Sequence, residues 1–98
     1  MRRMVGDMLD DAREAFARRG WSAARLAYEE ASKSGQLTLD DLERYAIAAH
    51  LVGNDGQSRD ALTRGYLEAV AREDITRAVQ FAYWIGHSMM KRFHPSTV

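Results

Sequence analysis

The stretch RRGWSAARLAYEEA, residues 18–31, contains a glycine, an aromatic residue, and then small and aromatic residues at helical spacing. Gly20 is suited to end one helix, because glycine adopts the left-handed backbone conformation at little cost. Ala24, Tyr28 and Ala31 are four and three residues apart, so they share one face of the helix that follows. The stretch predicts two helices joined by a tight turn.

This glycine recurs at a constant interval, since Gly20, Gly53 and Gly86 are 33 residues apart. A constant period of this length is typical of helical-repeat proteins. Apolar residues also recur at matching distances before the three glycines, in three sets: Leu9, Leu42 and Ile75; Ala12, Tyr45 and Ala78; Phe16, Ala49 and Ala82. We expect three copies of one helix, the first two ending at their glycine and the third continuing past Gly86.

Second helices are predicted between the glycines, where the spacing of Ala24, Tyr28 and Ala31 recurs as Leu62, Tyr66 and Ala69. Acidic residues open the predicted helices and suit the positive end of the helix dipole. The predicted helices cover residues 7–19, 22–33, 39–52, 57–72 and 74–92. We therefore predict an all-α protein in one domain, residues 1–98. Antiparallel helical hairpins over 7–33 and 39–72 stack as a short solenoid, followed by an unpaired helix over 74–92.

Composition limits the classes of function. The 98 residues include fourteen basic and fourteen acidic side chains and no cysteine. A net charge of zero provides no overall field to hold a polyanion such as DNA, and the lack of cysteine excludes disulfides and thiolate zinc sites. No stretch reaches the roughly 20 apolar residues of a membrane span, and no signal-peptide core is present. We expect a cytoplasmic protein, and the excess of arginine and alanine is typical of a GC-rich bacterial genome.

The stretch at residues 18–31, with its helix-ending glycine, aromatic residue and small-aromatic-small spacing, resembles the tetratricopeptide repeat. The second copy, LVGNDGQSRDALTRGYLEAV (residues 51–70), departs from that pattern, because Leu62 replaces the small residue and the turn is longer. LERYAIAAHLVG (residues 42–53) and RAVQFAYWIG (residues 77–86) are similar to the helical region of actinobacterial LuxR-type multidomain regulators. The resemblance implies a helical scaffold that accompanies separate DNA-binding or nucleotide-handling domains.

No catalytic, metal-binding or cofactor-binding residues are predicted, so we expect a non-enzymatic protein. His87 and His94 would lie roughly 10 Å apart on a helix, too far to share a metal, and His50 has no acidic partner identifiable by spacing. Neighbouring carboxylates at residues 10–11, 29–30 and 40–41 point about 100° apart, which indicates solvated faces or helix caps.

A DNA-associated transcriptional regulator is the alternative hypothesis. Ala49, Gly53 and Leu62 have the spacing of a helix-turn-helix, although Arg59 stands where that motif needs an apolar residue. This alternative uses the 46–66 region and predicts DNA binding through Arg59 or Arg64.

The most apolar part of the last predicted helix is FAYWIGHSMM, residues 81–90. On a helical wheel, Ile75, Ala78, Val79 and Ala82 form the side expected to pack on the preceding hairpin. A neighbouring apolar side remains, and residues 91–98 are too short and polar to cover it. We predict a partner interface there, formed by Phe81, Trp84, Ile85, Ser88 and Met89.

Three occupants of this interface stay open at this point: a second copy in a homodimer, a helix or extended segment of another protein, or a covering segment of the same chain. The first helices of the hairpins are also expected to form a concave side. We interpret this side either as a groove that could bind a peptide or as an ordinary solvated surface. The residues of this predicted groove are Ile47, His50, Gln80, Tyr83 and His87.

Overall fold

A computed structural model describes residues 5–35 and 37–92, with side chains placed for residues 7–35 and 37–88. The described residues form five helices and no strand: α1 (Val5–Ala17), α2 (Trp21–Ser32), α3 (Leu39–Leu51), α4 (Asp55–Ala71) and α5 (Ile75–Arg92). Each helix packs against the next one in the chain, and α1 also contacts α3. The predicted all-α architecture of about five helices is confirmed.

Left-handed residues end three of the helices. Arg19 (φ 63°), Gly53 (φ 85°) and Glu73 (φ 59°) follow α1, α3 and α4. After α3, the backbone N–H of Gly53 donates to His50 O and that of Asn54 donates to Ala49 O, which satisfies carbonyls at the helix end. The prediction for Gly53 is correct.

The prediction for Gly20 is wrong by one residue. Arg19 adopts the left-handed conformation, whereas Gly20 has φ −85° and is the N-cap of α2. The N–H of Gly20 donates to Ala15 O at 2.8 Å, and a Cβ atom at Gly20 would lie 3.4 Å from that oxygen. This is an ordinary contact distance, so neither the backbone conformation nor the space at residue 20 requires glycine.

Side chains cap the starts of α3, α4 and α5. Thr38 and Asp41 form a reciprocal capping box at α3, and Asn54 Oδ1 accepts from Gln57 N at 3.1 Å at α4. Asp74 Oδ1 accepts from Arg77 N at 3.2 Å at α5. These caps satisfy amides that have no partner within the helix.

The core is one continuous cluster with members from all five helices, and alanine is its commonest residue. Small side chains let the helices approach closely, and a few large residues fill the remaining space. Between α2 and α3 the large residues are Tyr28 and Tyr45, whose rings stack with centroids 6.0 Å apart.

The large residue between α4 and α5 comes from the opposite helix. The Phe81 ring lies over Gly65, where a Cβ atom would come within 2.5 Å of Phe81 Cζ. Tyr66, predicted to be the counterpart of buried Tyr28, is exposed, whereas Gly65 is buried. That part of the repeat alignment is wrong, because Gly65 leaves the space that the Phe81 ring occupies.

This contact also corrects the predicted orientation of α5. Ala78 and Phe81 are buried, Phe81 with 2% exposure, whereas Ile75 is 68% and Val79 62% exposed. Ala82 is exposed as well. Of the side expected to pack on the preceding hairpin, Ala78 is thus buried as predicted, whereas the other three residues face solvent, because the depression at Gly65 accepts Phe81 instead.

Candidate functional site

An open groove lies between α3 and α5, with residues of α4 forming its floor. Its volume is about 300 Å³ and its surface is predominantly apolar. The lining residues are Glu43, Ala46, Ile47, His50 and Leu51 of α3, Ser58 and Leu62 of α4, and Trp84, His87 and Ser88 of α5. Pockets of this size and character are typical binding sites for ligands or side chains of a partner.

One arginine holds the first half of α5 against α3. Arg77 Nη1 donates to Asp40 at 2.7 Å and Nη2 donates to Glu43 at 3.0 Å. Its guanidinium also lies 5.5 Å from the centroid of the Phe81 ring. Because Arg77 is near the start of α5, these contacts join that end of α5 to α3, and the groove-wall residues Trp84 and His87 lie about two turns further along the helix.

The floor is fixed by a side-chain hydrogen bond between α4 and α3. Ser58 Oγ donates to Ala46 O at 2.8 Å, and both residues line the groove. Ser58 is buried in α4, and this bond satisfies its hydroxyl group. The bond sets the spacing of the two helices beneath the groove.

Aromatic side chains form the outer rim of the α5 wall. Trp84 is 48% exposed, and its ring meets the Tyr83 ring edge to face at 5.3 Å and the His87 ring at 5.8 Å. Tyr83 and His87 also stack, with centroids 6.2 Å apart. Aromatic side chains with this degree of exposure are frequent anchors of protein interfaces.

The α3 wall carries a polar pair at its end. His50 Nδ1 lies 3.2 Å from Asp55 Oδ1, so His50 has an acidic partner that its spacing in the sequence did not identify. The turn after α3 reverses the chain and brings the first residue of α4 beside the last turn of α3. Sequence spacing on a single helix does not reveal a contact made across such a turn.

The structure brings most of the predicted groove together with part of the predicted interface. Ile47, His50 and His87 line the groove beside Trp84 and Ser88, which the sequence assigned to the separate interface. Tyr83 lies at the rim through its ring contacts, whereas Gln80 is exposed and is not part of the lining.

Two predicted interface residues belong to the protein interior. Phe81 is buried over Gly65, and Ile85 is half-buried against the core cluster. Phe81 is therefore covered by its own chain and is wrong as an exposed anchor. The side chain of Met89 lies outside the described residues.

Sequence reasoning missed five groove residues, which are Glu43, Ala46, Leu51, Ser58 and Leu62. Leu51 follows Ile47 by one helical turn, so an exposed apolar pair at this spacing was the signal that could have located it. Leu62 and Glu43 had no such signal, because they enter the groove through the packing of three helices.

A buried carboxylate lies among α1, α2 and α3. Asp41 is fully buried and accepts two hydrogen bonds from Arg13, from Nε at 3.0 Å and from Nη2 at 2.7 Å. Tyr28 Oη donates to Asp41 at 3.3 Å and Thr38 Oγ1 donates at 2.9 Å. The sequence placed Asp41 either on a solvated face or in a helix cap. The cap is confirmed, whereas the solvated face is wrong.

These contacts determine the ionisation of the cluster. Burial alone would raise the pKa of Asp41, but the hydrogen bonds from Arg13 and Thr38 and the Arg13 charge outweigh it and lower that pKa. Burial and the Asp41 charge raise the pKa of Tyr28 to about 12. Asp41 is therefore an anion whose hydrogen bonds join α1, α2 and α3.

Other chemical sites are not evident in the described part of the chain. Over residues 5–35 and 37–92, no three histidine, aspartate or glutamate side chains are grouped so that they could bind a metal ion. Within the same residues, no helix has the length and apolar character needed to cross a membrane. Comparison of the chain with protein-family models, curated proteins and solved structures finds no match.

Proposed function

We propose that the chain is a non-enzymatic helical interaction module that binds an apolar helical segment of another protein in the groove between α3 and α5. The observation that carries this proposal is the groove itself, where the exposed side chains of Ile47, Leu51 and Trp84 share one opening. Exposed apolar surface that is contiguous and bordered by polar residues is characteristic of interaction sites.

The groove dimensions favour side chains of a partner over a whole helix. An α-helix with its side chains is about 10–12 Å across, whereas about 300 Å³ accommodates a small number of large side chains. An amphipathic helix that projects apolar residues from one face matches this volume. Recognition of this kind is common for grooves between helices.

The arrangement of the helices supports a tetratricopeptide-like module. Successive helices pack in chain order, and the groove is bordered by α3 and α5, the helices that the glycine period relates. Such arrays use the surface between equivalent helices to bind extended or helical segments. The LuxR-regulator resemblance would place the module beside other functional domains.

The DNA-associated alternative stays a prediction and gains no support from the placement of the basic residues. In the described residues, seven basic side chains form ion pairs with carboxylates: Arg13, Arg18, Arg25, Lys33, Arg44, Arg72 and Arg77. Intramolecular pairing of this extent weakens the positive field that phosphate binding requires.

The test is selection of peptides from a displayed library of 16-residue amphipathic helices, followed by binding measurements with purified protein. We expect selected peptides with large apolar residues on one face, and a loss of affinity of about tenfold with Leu51→Lys, because the lysine places a charge in the apolar groove. Leu26→Lys is the matched control, since Leu26 is 55% and Leu51 51% exposed but Leu26 is not part of the groove lining. A library without binders, or binders equally affected by both substitutions, would reject the proposal.

A further inference from the structure

The groove between α3 and α5 carries negative charge at one end. Glu43 is the carboxylate among the described lining residues, which include no lysine or arginine. Asp40 lies one turn before Glu43 on α3. We propose that the groove selects partner helices that carry a lysine or arginine beside their apolar face, with the cation placed at Glu43. This inference rests on the proposed function and adds the charge of the partner to it.

Arg77 does not neutralise this end of the groove. Its single positive charge is shared between Asp40 and Glu43, so the three side chains together carry one net negative charge. The Arg77 side chain is 22% exposed, compared with 44% for Glu43 and 62% for Asp40. The cation is therefore the most buried of the three, and the two carboxylates are presented to an approaching partner.

A partner that closes the groove removes water from Glu43, because this residue lines the opening. Desolvation of a carboxylate is unfavourable unless a cation or a hydrogen-bond donor replaces the water. Within the described residues, Glu43 accepts one hydrogen bond, at Oε1 from Arg77, whereas a carboxylate has about four acceptor positions. An ammonium or guanidinium group therefore suits this position, and a carboxylate of the partner is repelled.

The order of residues along α3 sets the position of the cation in the partner. Glu43, Ile47 and Leu51 follow one another at four-residue intervals, so each lies about 6 Å further along the helix. In a partner helix that lies along α3, the cation should be one turn from the apolar residue at Ile47 and two turns from that at Leu51. The methylene stem of a lysine or arginine can cover apolar surface while its charged group reaches Glu43.

Model helices of the library length, with one shared leucine face, test this inference. Three versions carry lysine, glutamine or glutamate one turn beyond the leucines at both ends, so that either direction of binding brings one of these residues to Glu43. Affinity is measured by fluorescence polarisation of the labelled helices at low ionic strength. We expect the lysine helix to bind about threefold to fivefold more tightly than the glutamine helix, and the glutamate helix to bind most weakly. About 1 M salt should reduce these differences, because it screens exposed charges.

Glu43→Gln is the test variant, and Glu68→Gln is its matched control. The Glu43 and Glu68 side chains are 44% and 46% exposed, and each accepts a hydrogen bond from an arginine at 3.0 Å. Glu68 is not part of the groove lining. The preference for the lysine helix over the glutamine helix should fall below about twofold in Glu43→Gln and stay unchanged in Glu68→Gln. Glu43→Lys should favour the glutamate helix instead.

The outcomes separate this inference from the function on which it rests. Equal binding of the three helices, or a lysine preference that survives Glu43→Gln, rejects the cationic partner while binding of the leucine face still supports the groove. If none of the three helices binds, the groove does not accept apolar helices, and the proposed function fails together with the inference.

Discussion

Replacement of Gly65 by alanine tests the contact that orients α5 and thereby places its residues in the groove wall. The new Cβ atom would lie 2.5 Å from Cζ and 2.8 Å from Cδ1 of Phe81. Ordinary carbon contacts are about 3.5–4.0 Å, so the ring must move by about 1 Å. Phe81 is buried with 2% exposure, and such a movement requires either a strained rotamer or displacement of α5.

Two opposing effects determine the size of the change. Overpacking of a core costs about 1–3 kcal/mol, whereas alanine stabilises a helix interior relative to glycine by about 1 kcal/mol. A Cβ atom at residue 65 would lie so close to the Phe81 ring that the cost of overpacking should fall at the upper end of this range. We expect Gly65→Ala to lower the free energy of unfolding by about 2 kcal/mol, equivalent to roughly 8–16 °C in Tm for a domain of this size.

The assay is urea unfolding followed by far-UV circular dichroism at micromolar concentration. Gly56→Ala is the control in the same helix, because a Cβ atom there would meet nothing within 4 Å. This control should leave stability unchanged or raise it by up to about 1 kcal/mol.

A double-mutant cycle identifies Phe81 as the cause. Phe81→Leu removes part of the ring, so Gly65→Ala combined with Phe81→Leu should be about 1–2 kcal/mol more stable than the sum of the two single effects predicts. The reasoning is refuted if Gly65→Ala is as stable as Gly56→Ala, or if the cycle is additive.

Two further substitutions test the core and a turn. Asp41→Ala should lower the free energy of unfolding by about 3 kcal/mol at pH 7, the lower end of the range for a broken buried pair, because Arg13 is 42% exposed. Since the folded pKa of Asp41 is lowered, its contribution is fully present above the unfolded pKa of about 3.9 and is lost as the pH falls further. The difference between wild type and variant in urea unfolding should therefore shrink between pH 5 and pH 2, and a constant difference would contradict the assignment. Arg19→Gly should raise stability by about 0.5–1 kcal/mol, because Arg19 has φ 63° and glycine adopts this conformation without a steric cost. A calorimetric Tm equal to or below that of the wild type would show that the left-handed turn is not strained.

The groove illustrates how far sequence patterns extend towards a site. Ile47, His50 and His87 were predicted on one surface because related helices repeat with the glycine period, and all three line the groove. The assignment of Trp84 to a separate surface was wrong. The direction of the Trp84 side chain depends on the rotation of α5 about its own axis relative to α3 and α4. A helical wheel gives relative directions within one helix and cannot give the direction of its neighbours.

Asp41 shows a similar division between local and distant information. Its position three residues after Thr38 predicts a capping role, and the structure contains that cap. The bonds from Arg13 and Tyr28 join residues 28 and 13 positions away, and they form only when three helices pack together. The capping position sets this carboxylate apart from the exposed Asp40 beside it, but no local pattern indicates its burial or its bonds to Arg13 and Tyr28.

The sequence by itself determined the five helices, their order and their short turns, because helical spacing, capping residues and helix-ending glycines act within a few residues of one another. It did not determine which side of α5 is buried, because apolar residues surround most of that helix. Tertiary packing decided this through shape: the absence of a side chain at Gly65 admits the Phe81 ring, and that fit turns Trp84 towards the groove and Ile75 and Val79 towards solvent.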